Sequence, residues 1–137
     1  MSDTDSIHKH TPGEWIARSM TDVKYAERSF KARKTAEGIQ ACKRAAGMAI
    51  NAILLCHPEQ SLGNTIADRL HTLSHDPSVP AAVRDACSLL VGAALPGGDL
   101  LLLARPNKEQ ALLEAAKDVM AHAYAILLRS QHKEASA

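Results

Sequence analysis

The scarcity of aromatic side chains limits how this chain can build a core. Its 137 residues include one Trp, two Tyr and one Phe, although 46% of the residues are apolar. The core must therefore consist mainly of Ala, Leu, Ile and Val, which favours helices packed closely through small side chains. The length corresponds to one domain. A charged fraction of 23% and a net charge of +1 exclude a disordered chain, a collagen-like repeat and a disulfide scaffold.

Apolar residues recur at helical spacing in five segments, and helix-breaking residues separate most of them. The sequence therefore predicts an all-α fold, an antiparallel up-and-down bundle of about five helices. The boundary between the first two helices falls near Arg33–Glu37 and lacks a strong breaker. The first predicted helix runs from Pro12 to about Ala32, the second ends at His57, and the third runs from about Ser61 to Ser74. The fourth runs from Pro80 to Pro96, and the fifth from Asn107 to near Arg129.

Each predicted helix has an apolar stripe that we expect to face the core. A capping box, Thr11 with Glu14, marks the start of the first helix. The expected core positions are Ile16, Met20, Val23 and Phe30 in the first helix, Ile39, Cys42, Ala46, Ala49, Ile53 and Cys56 in the second, Leu62, Ile66, Leu70 and Leu73 in the third, Val79, Val83, Ala86 and Leu90 in the fourth, and Leu112, Ala116, Val119, Ala123 and Ile126 in the last.

The sequence predicts a single domain with a tail at each end. We expect residues 1–11 to form a flexible N-terminal tail, residues 12–129 the helical bundle, and residues 130–137 a flexible C-terminal tail. The first eleven residues carry no apolar run and do not resemble a signal peptide. The longest aliphatic stretch, Leu100–Ala104, is too short to span a membrane.

The cysteines indicate a reducing compartment. Cys42, Cys56 and Cys87 are odd in number, lie among apolar neighbours and show no C-x-x-C spacing. The expected location is therefore the cytoplasm, with all three thiols buried and inert. No Gly-rich phosphate loop and no paired carboxylates suggest a cofactor or acid–base chemistry, and we expect no cofactor.

Arg69 and His75 are the candidate catalytic pair. If they share a helical face, His75 can act as a general acid or base toward a ribose hydroxyl while Arg69 stabilises the charged phosphorane. The alternative is a solvated Arg69 and a helix-terminal His75 that interacts favourably with the helix dipole. Asp68 and His71 add a carboxylate and a second imidazole to this stretch, but a metal would need a third side-chain ligand from elsewhere. We therefore assign no metal site.

Basic residues concentrate in the first helix and the start of the second. A stripe of this kind can contact the phosphates of RNA with strong salt dependence, although few aromatic residues accompany it for base stacking. The alternative interpretation is an ordinary solvated surface. The residues are Lys24, Arg28, Lys31, Arg33, Lys34, Lys43 and Arg44.

Three segments carry a resemblance to the HEPN family of small helical domains. They are Ala41–Leu55, an Ala-rich stretch that ends in Leu-Leu, then Gly63–Leu70, with a polar start, and Arg105–Ala116, which follows a Pro-containing loop. The resemblance covers about Glu14 to Leu128. It rests on the order of the helices and on their high content of Ala and Leu.

The resemblance implies an up-and-down bundle that usually forms a homodimer. Many members of the family are RNA-cleaving toxins or partners of small nucleotidyltransferases, and others are non-catalytic interaction modules. Active members carry an Arg followed, after four to six residues, by a His, usually late in the chain. Here only Arg69 and His75 have that spacing; they lie mid-chain, and Leu70 takes the place of the usual polar residue.

Three functional hypotheses follow from these observations. The first is a non-catalytic HEPN-like module that self-associates or docks a protein partner through an apolar helix face. The second is a metal-independent endoribonuclease that uses Arg69 and His75. The third is RNA binding without cleavage through the basic surface between Lys24 and Arg44. None of them involves a membrane. The sequence favours the first and leaves the ligand, the partner and the dimer surface unassigned.

Overall fold

The computed structural model describes residues 7–94 and 108–136, and these residues fold into helices. Within those two ranges there is no β-strand, so the predicted all-α class is confirmed. The aliphatic stretch Leu100–Ala104 and the start of the last helix at Asn107 lie outside the described residues. The helices are α1 (Pro12–Lys31), α2 (Thr35–Cys56), α3 (Ile66–Ser74), α4 (Ala81–Ala94) and α5 (Lys108–Ser136).

The start of α1 confirms the predicted capping box. The Thr11 hydroxyl accepts a hydrogen bond from the Glu14 amide at 3.2 Å, and the Glu14 carboxylate accepts one from the Thr11 amide at 3.0 Å. Before the helix, Ile7 is buried and its carbonyl accepts a hydrogen bond from the Trp15 indole at 2.8 Å. Part of the segment predicted as a flexible tail, residues 1–11, thus packs against α1.

The apolar stripe of α1 differs from the prediction at one position. Met20 is 46% exposed, whereas Ser19 is fully buried beside it. The Ser19 hydroxyl donates a hydrogen bond of 2.7 Å to the carbonyl of Ala45 on α2. A small side chain that satisfies its own polar group lets α2 approach at this point, and a methionine is too large for the contact.

Helix α2 is the central element of the fold. It makes its most extensive contacts with α1 and further contacts with α5, α4 and α3. The predicted seam is confirmed from Ile39 to Ile53, while Cys56 is half-buried. Alanines account for much of the buried surface, so neighbouring helices meet close to the α2 backbone. The fully buried alanines of α2 are Ala41, Ala45, Ala46, Ala49 and Ala52.

The connection between α1 and α2 is short because one residue adopts the left-handed conformation. Arg33 has a φ of 61°, and α2 begins two residues later at Thr35. Left-handed backbone is uncommon for residues other than glycine. This conformation supplies the break for which the sequence carries no strong signal.

Helix α3 begins five residues later than predicted. It starts at Ile66 rather than Ser61, because the Thr65 hydroxyl caps it by accepting a hydrogen bond from the Asp68 amide at 3.0 Å. Gly63 precedes this cap with a φ of 104°. Leu70 and Leu73 face the core as expected, but Ile66 is 37% exposed, which corrects its predicted inward orientation.

The stripes of the last two helices are confirmed at every predicted position. Val79, just before α4, and Val83, in its first turn, are buried, and the five predicted α5 positions are buried throughout. Helix α5 continues to Ser136 instead of ending near Arg129. No Gly or Pro follows Arg129, so nothing in the sequence stops the helix there. None of the described helices has both the length and the apolar character needed to cross a membrane.

Candidate functional site

Arg69 lies on α3 and His75 follows the last residue of that helix, but the two have different neighbours. The Arg69 guanidinium donates hydrogen bonds to the Gly63 carbonyl at 3.0 Å and to the Asn51 side-chain oxygen at 3.2 Å. His75 forms the C-cap of α3, and its ring lies 4.4 Å from that of His71. Six residues along a helix correspond to a rotation of about 240°, so the two side chains leave the helix on different faces. The predicted pair is therefore not brought to one face.

The two imidazoles on α3 do not extend into a metal site in the described part of the chain. His71 and His75 pack ring against ring, tilted by 58°. Across residues 7–94 and 108–136, no group of three or more His, Cys, Asp or Glu side chains is placed to hold a metal ion. Asp68, the carboxylate considered with them, is exposed at the start of α3.

The predicted basic residues are distributed over several surfaces. Lys24, Arg28 and Lys31 are exposed on α1, and Arg33 and Lys34 are exposed in the connection to α2. Arg44 forms an ion pair with Asp22 at 3.4 Å, and its guanidinium lies 5.9 Å from the ring centroid of Tyr25. Lys43 is half-buried and leaves α2 about 100° away from its neighbour Arg44. Among the described residues, one of the seven charges is paired, and the last two point in different directions.

Two of the three cysteines are buried in the core and cannot act as nucleophiles there. Burial raises the pKa of the Cys42 thiol to about 12 and that of the Cys87 thiol to about 11. Because the thiolate is the reactive form, both residues are inert near neutral pH, as expected. Cys56 is half-buried at the end of α2, so the expectation that all three thiols are buried is wrong for this residue.

Helix α5 has an exposed side that faces away from the core. Two large apolar side chains remain half exposed there, Tyr124 at 50% and Leu128 at 47%. Ala121 and Ala125 are exposed on the same side. We call this side the outer face of α5 and define it by Glu114, Asp118, Ala121, Tyr124, Ala125, Leu128, Arg129, His132 and Lys133, all of them exposed.

The outer face of α5 has the spacing of a helix-pairing seam. Its positions from Glu114 through Asp118, Ala121 and Ala125 to Leu128 alternate steps of four and three residues. This is the repeat by which two helices keep one stripe in mutual contact. Two alanines at its centre allow a partner helix to approach closely.

Charges are segregated along the same face. Glu114 and Asp118 lie toward the start of α5, whereas Arg129 and Lys133 lie toward its end. Among the described residues, neither Asp118 nor Arg129 has an oppositely charged side chain within the distance of an ion pair. The midpoint of Asp118 and Arg129 coincides with that of Glu114 and Lys133, between Ala123 and Tyr124. A second α5 placed antiparallel about that point would oppose acidic residues with basic ones.

A cleft of about 600 Å³ opens where the end of α2 meets the second half of α5. Apolar residues Ile53, Leu73, Val79 and Ile126 are among its lining. Its polar lining comes from separate elements. The sequence carries no signal for this cleft, because no local motif links residues so far apart in the chain. The charged and imidazole side chains are His57, Glu59, Asp76, His122, Arg129 and Lys133.

Two groups in this cleft have shifted ionisation. Burial lowers the pKa of His122 below its usual value, and Arg129 lowers it further, while Asp76 acts in the opposite direction. The carboxylate of Asp76 accepts hydrogen bonds from the Ser78 hydroxyl at 2.7 Å and the Ser78 amide at 2.9 Å. These bonds hold the pKa of Asp76 below its usual range. At neutral pH the cleft therefore combines a neutral imidazole with an ionised carboxylate.

The lowered pKa of His122 predicts a pH dependence of stability. The unfolded chain takes up a proton at His122 as the pH falls through about 6.5, whereas the folded protein resists protonation there. The free energy of unfolding should therefore fall between pH 7.5 and 5.5, and His122→Asn should reduce this fall. Urea denaturation at both pH values measures it. His8→Asn removes an exposed imidazole as the control, and an equal reduction in both variants would contradict the assignment.

Comparison with known proteins gives no relative for this chain. No family model, curated protein or solved structure matches it. The functional conclusion therefore rests on the geometry of the described residues.

Proposed function

We propose that this chain is a non-catalytic, HEPN-like helical bundle whose function is self-association through the outer face of α5. The observation that carries the proposal is the pattern on that face, where half-exposed Tyr124 and Leu128 lie between acidic and basic ends. The pattern is complementary to itself under a two-fold axis, as the interface of a symmetric dimer must be. The proposed occupant of the face is thus a second copy of the chain.

The proposed bundle has an antiparallel up-and-down arrangement of its four long helices. Contacts between α1 and α2 support this, since Ser19 meets Ala45 whereas Phe30, later in α1, lies against Gly38, earlier in α2. Helices α2 and α5 run parallel, because the Thr35 hydroxyl donates a hydrogen bond to Glu109 near the start of both helices. The second and the last of four alternating helices share a direction, so this contact also fits the arrangement. Helix α3, with nine residues, then belongs to the connection between α2 and α4. A short third helix and a long last one also fit the HEPN resemblance.

Burial of apolar side chains supplies most of the proposed dimer's free energy. A Leu or Tyr side chain that becomes fully buried contributes roughly 1.5–3 kcal/mol, and about half of that remains available for a half-exposed one. Each contact occurs twice in a two-fold dimer. The charged pairs between Asp118 and Arg129 of the two copies would contribute less affinity but would fix the register and orientation.

The arrangement at α3 supports a non-catalytic role. Two of the five donors of Arg69 are directed to α2 and to the loop before α3, and His75 packs against His71. A general base and a phosphate-stabilising cation must converge on one reacting group. Within one copy of the chain, this pair does not converge.

Leu128→Glu tests the proposed dimer. The full chain should be dimeric in sedimentation equilibrium, and the substitution should raise the dissociation constant roughly a hundredfold or more, because it places two carboxylates in the apolar centre. Ser88→Glu adds the same charge on the exposed side of α4 and should leave the dimer unchanged.

Two outcomes would overturn the proposal. One is a chain that stays monomeric at every concentration while Leu128→Glu lowers its stability. Another part of the same chain would then cover the outer face of α5. The other is a dimer that Leu128→Glu does not weaken, since the interface would then lie elsewhere.

A further inference from the structure

A second surface feature, separate from the outer face of α5, is a pocket of about 290 Å³ between α1, α2 and α3. It is open to solvent on one side and of a size that suits a small molecule. Arg69 and Arg44 both line it, although they belonged to different candidate sites in the sequence. The remaining lining residues are Ile7, Trp15, Gly47, Met48, Asn51, Asn64 and Ile66.

Arg69 brings a positive charge into this pocket, and no carboxylate of the described residues neutralises it. The residue is half-buried, and no Asp or Glu among the described residues lies within ion-pair distance. Its two partners, the Gly63 carbonyl and the Asn51 side-chain oxygen, are neutral. A guanidinium has five N–H donors, so three remain for another acceptor. A partly desolvated cation of this kind is stabilised by an anion.

The other polar groups of the pocket are mostly hydrogen-bond donors or neutral amides. Because the Asn51 oxygen accepts from Arg69, its amide NH₂ is left as a donor. Asn64 adds a second side-chain amide. Arg44 adds a second guanidinium, which forms an ion pair with Asp22 at 3.4 Å. None of the described residues that line the pocket is a carboxylate. The electrostatics therefore favour a negatively charged ligand over a neutral or positive one.

Apolar side chains form the rest of the wall. Met48 and the exposed Ile66 line the pocket together with the Trp15 ring, whose N–H is already bonded to the Ile7 carbonyl. Gly47 leaves room for Ile66 to lie on α2, since a Cβ at Gly47 would come within 2.8 Å of the Ile66 Cδ1 atom. A ligand that fits must accordingly carry an apolar body beside its anionic group.

We propose that this pocket binds a small organic oxyanion, a carboxylate or phosphate monoester on a compact apolar body. The planar guanidinium of Arg69 binds two oxygens of the anion in parallel, as it does with carboxylates and phosphates in general. The Asn64 amide supplies a further donor, and the apolar body lies against Met48 and Ile66. The site does not depend on the proposed dimer, because none of its residues belongs to the outer face of α5.

Isothermal titration of the full chain with four probes tests this site. Phenyl phosphate and benzoate represent the two sources of oxyanion, inorganic phosphate lacks the apolar body, and benzylamine reverses the charge. At least one aromatic anion should bind with one-to-one stoichiometry and a dissociation constant of about a millimolar, as expected for so small a ligand. Inorganic phosphate should bind at least tenfold more weakly, and benzylamine should not bind.

Asn64→Asp separates a specific site from a general loss of folding. It places a carboxylate in the pocket while leaving Arg69 and its two hydrogen bonds in place, so binding of the aromatic anion should weaken at least tenfold. The same substitution should raise the melting temperature of the ligand-free protein, since Arg69 gains a counter-ion. Ser88→Asp on α4 adds an equal charge outside the pocket and should change neither binding nor stability.

The proposal is overturned if neither aromatic anion binds at 20 mM. It is also overturned if benzylamine binds as tightly as the anions, or if Asn64→Asp retains the affinity of the unsubstituted protein. Binding of an RNA oligomer without binding of the small anions would likewise overturn it, because the basic residues would then act as a phosphate-backbone surface.

Discussion

Replacing Gly38 with alanine is expected to destabilise the fold, although the same change usually stabilises a helix. Gly38 is buried near the start of α2, and the ring of Phe30 from the end of α1 lies directly over it. A Cβ at this position would lie 2.8 Å from the Phe30 Cζ atom and closer still to two other ring atoms. Alanine would gain roughly 1 kcal/mol in helix propensity, but overpacking at a tight contact costs about 1–3 kcal/mol. We expect a net loss of up to about 2 kcal/mol.

Gly92→Ala provides the matched control for this prediction. Gly92 also lies inside a helix, α4, but nothing is within 4 Å of a Cβ built there. Alanine at that position should therefore stabilise the protein by roughly 0.5–1 kcal/mol. Urea denaturation of both variants measures the difference. If Gly38→Ala is as stabilising as Gly92→Ala, the α1–α2 connection is loose enough for the Phe30 ring to move aside.

The core could be predicted from the sequence wherever apolar spacing alone determines which side of a helix is buried. The seam from Ile39 to Ile53 and the stripe from Leu112 to Ile126 are buried as their periodicity indicates. Both stripes keep helical spacing over four or more turns without a competing signal. Long periodic segments of this kind leave only one face for the core.

The predictions failed where a single hydrogen bond or a local backbone conformation decides the outcome. Ser19 replaces Met20 in the core because its hydroxyl reaches the Ala45 carbonyl, and no spacing rule identifies that acceptor. Helix α3 begins at Ile66 because Thr65 caps it after the left-handed Gly63. The sequence shows that both residues are suited to these roles, but not which of several polar residues takes them.

The two candidate sites also differ in how far they can be predicted from the sequence. The outer face of α5 is a continuous helix, so its charge segregation and its exposed Tyr124 and Leu128 follow from spacing once the buried side is known. The pocket at Arg69 combines α1, α2, α3 and the preceding loop. That none of its described lining residues is a carboxylate becomes evident only from tertiary structure, because Asp68 lies next to Arg69 in the sequence but forms no ion pair with it.

Charge reversal on the outer face of α5 should disrupt the proposed dimer, and mixing two variants with complementary charges should restore it. Asp118→Arg places two basic residues opposite each other at both symmetric contacts, and Arg129→Asp does the same with acidic residues. Each variant alone should have a dissociation constant roughly tenfold to a hundredfold higher than the unsubstituted chain, since like charges are held together twice. A heterodimer of the two variants restores an opposite charge at both contacts and should form at the original affinity.

Native mass spectrometry of isotopically distinct chains measures the heterodimer directly, and a mismatched pair tests the register. Lys133→Asp changes the charge one turn further along α5, where the proposed pairing places Glu114 of the second copy. Mixed with Asp118→Arg, it leaves the introduced guanidinium facing Arg129 of the second copy and should not restore dimerisation.

Equal rescue by Lys133→Asp and Arg129→Asp would mean that only net charge matters, and no rescue by either would mean that the two helices do not pair antiparallel about Ala123 and Tyr124. Because every chain in the mixture is one already measured alone, selective recovery by the Arg129→Asp partner cannot be attributed to a change in folding.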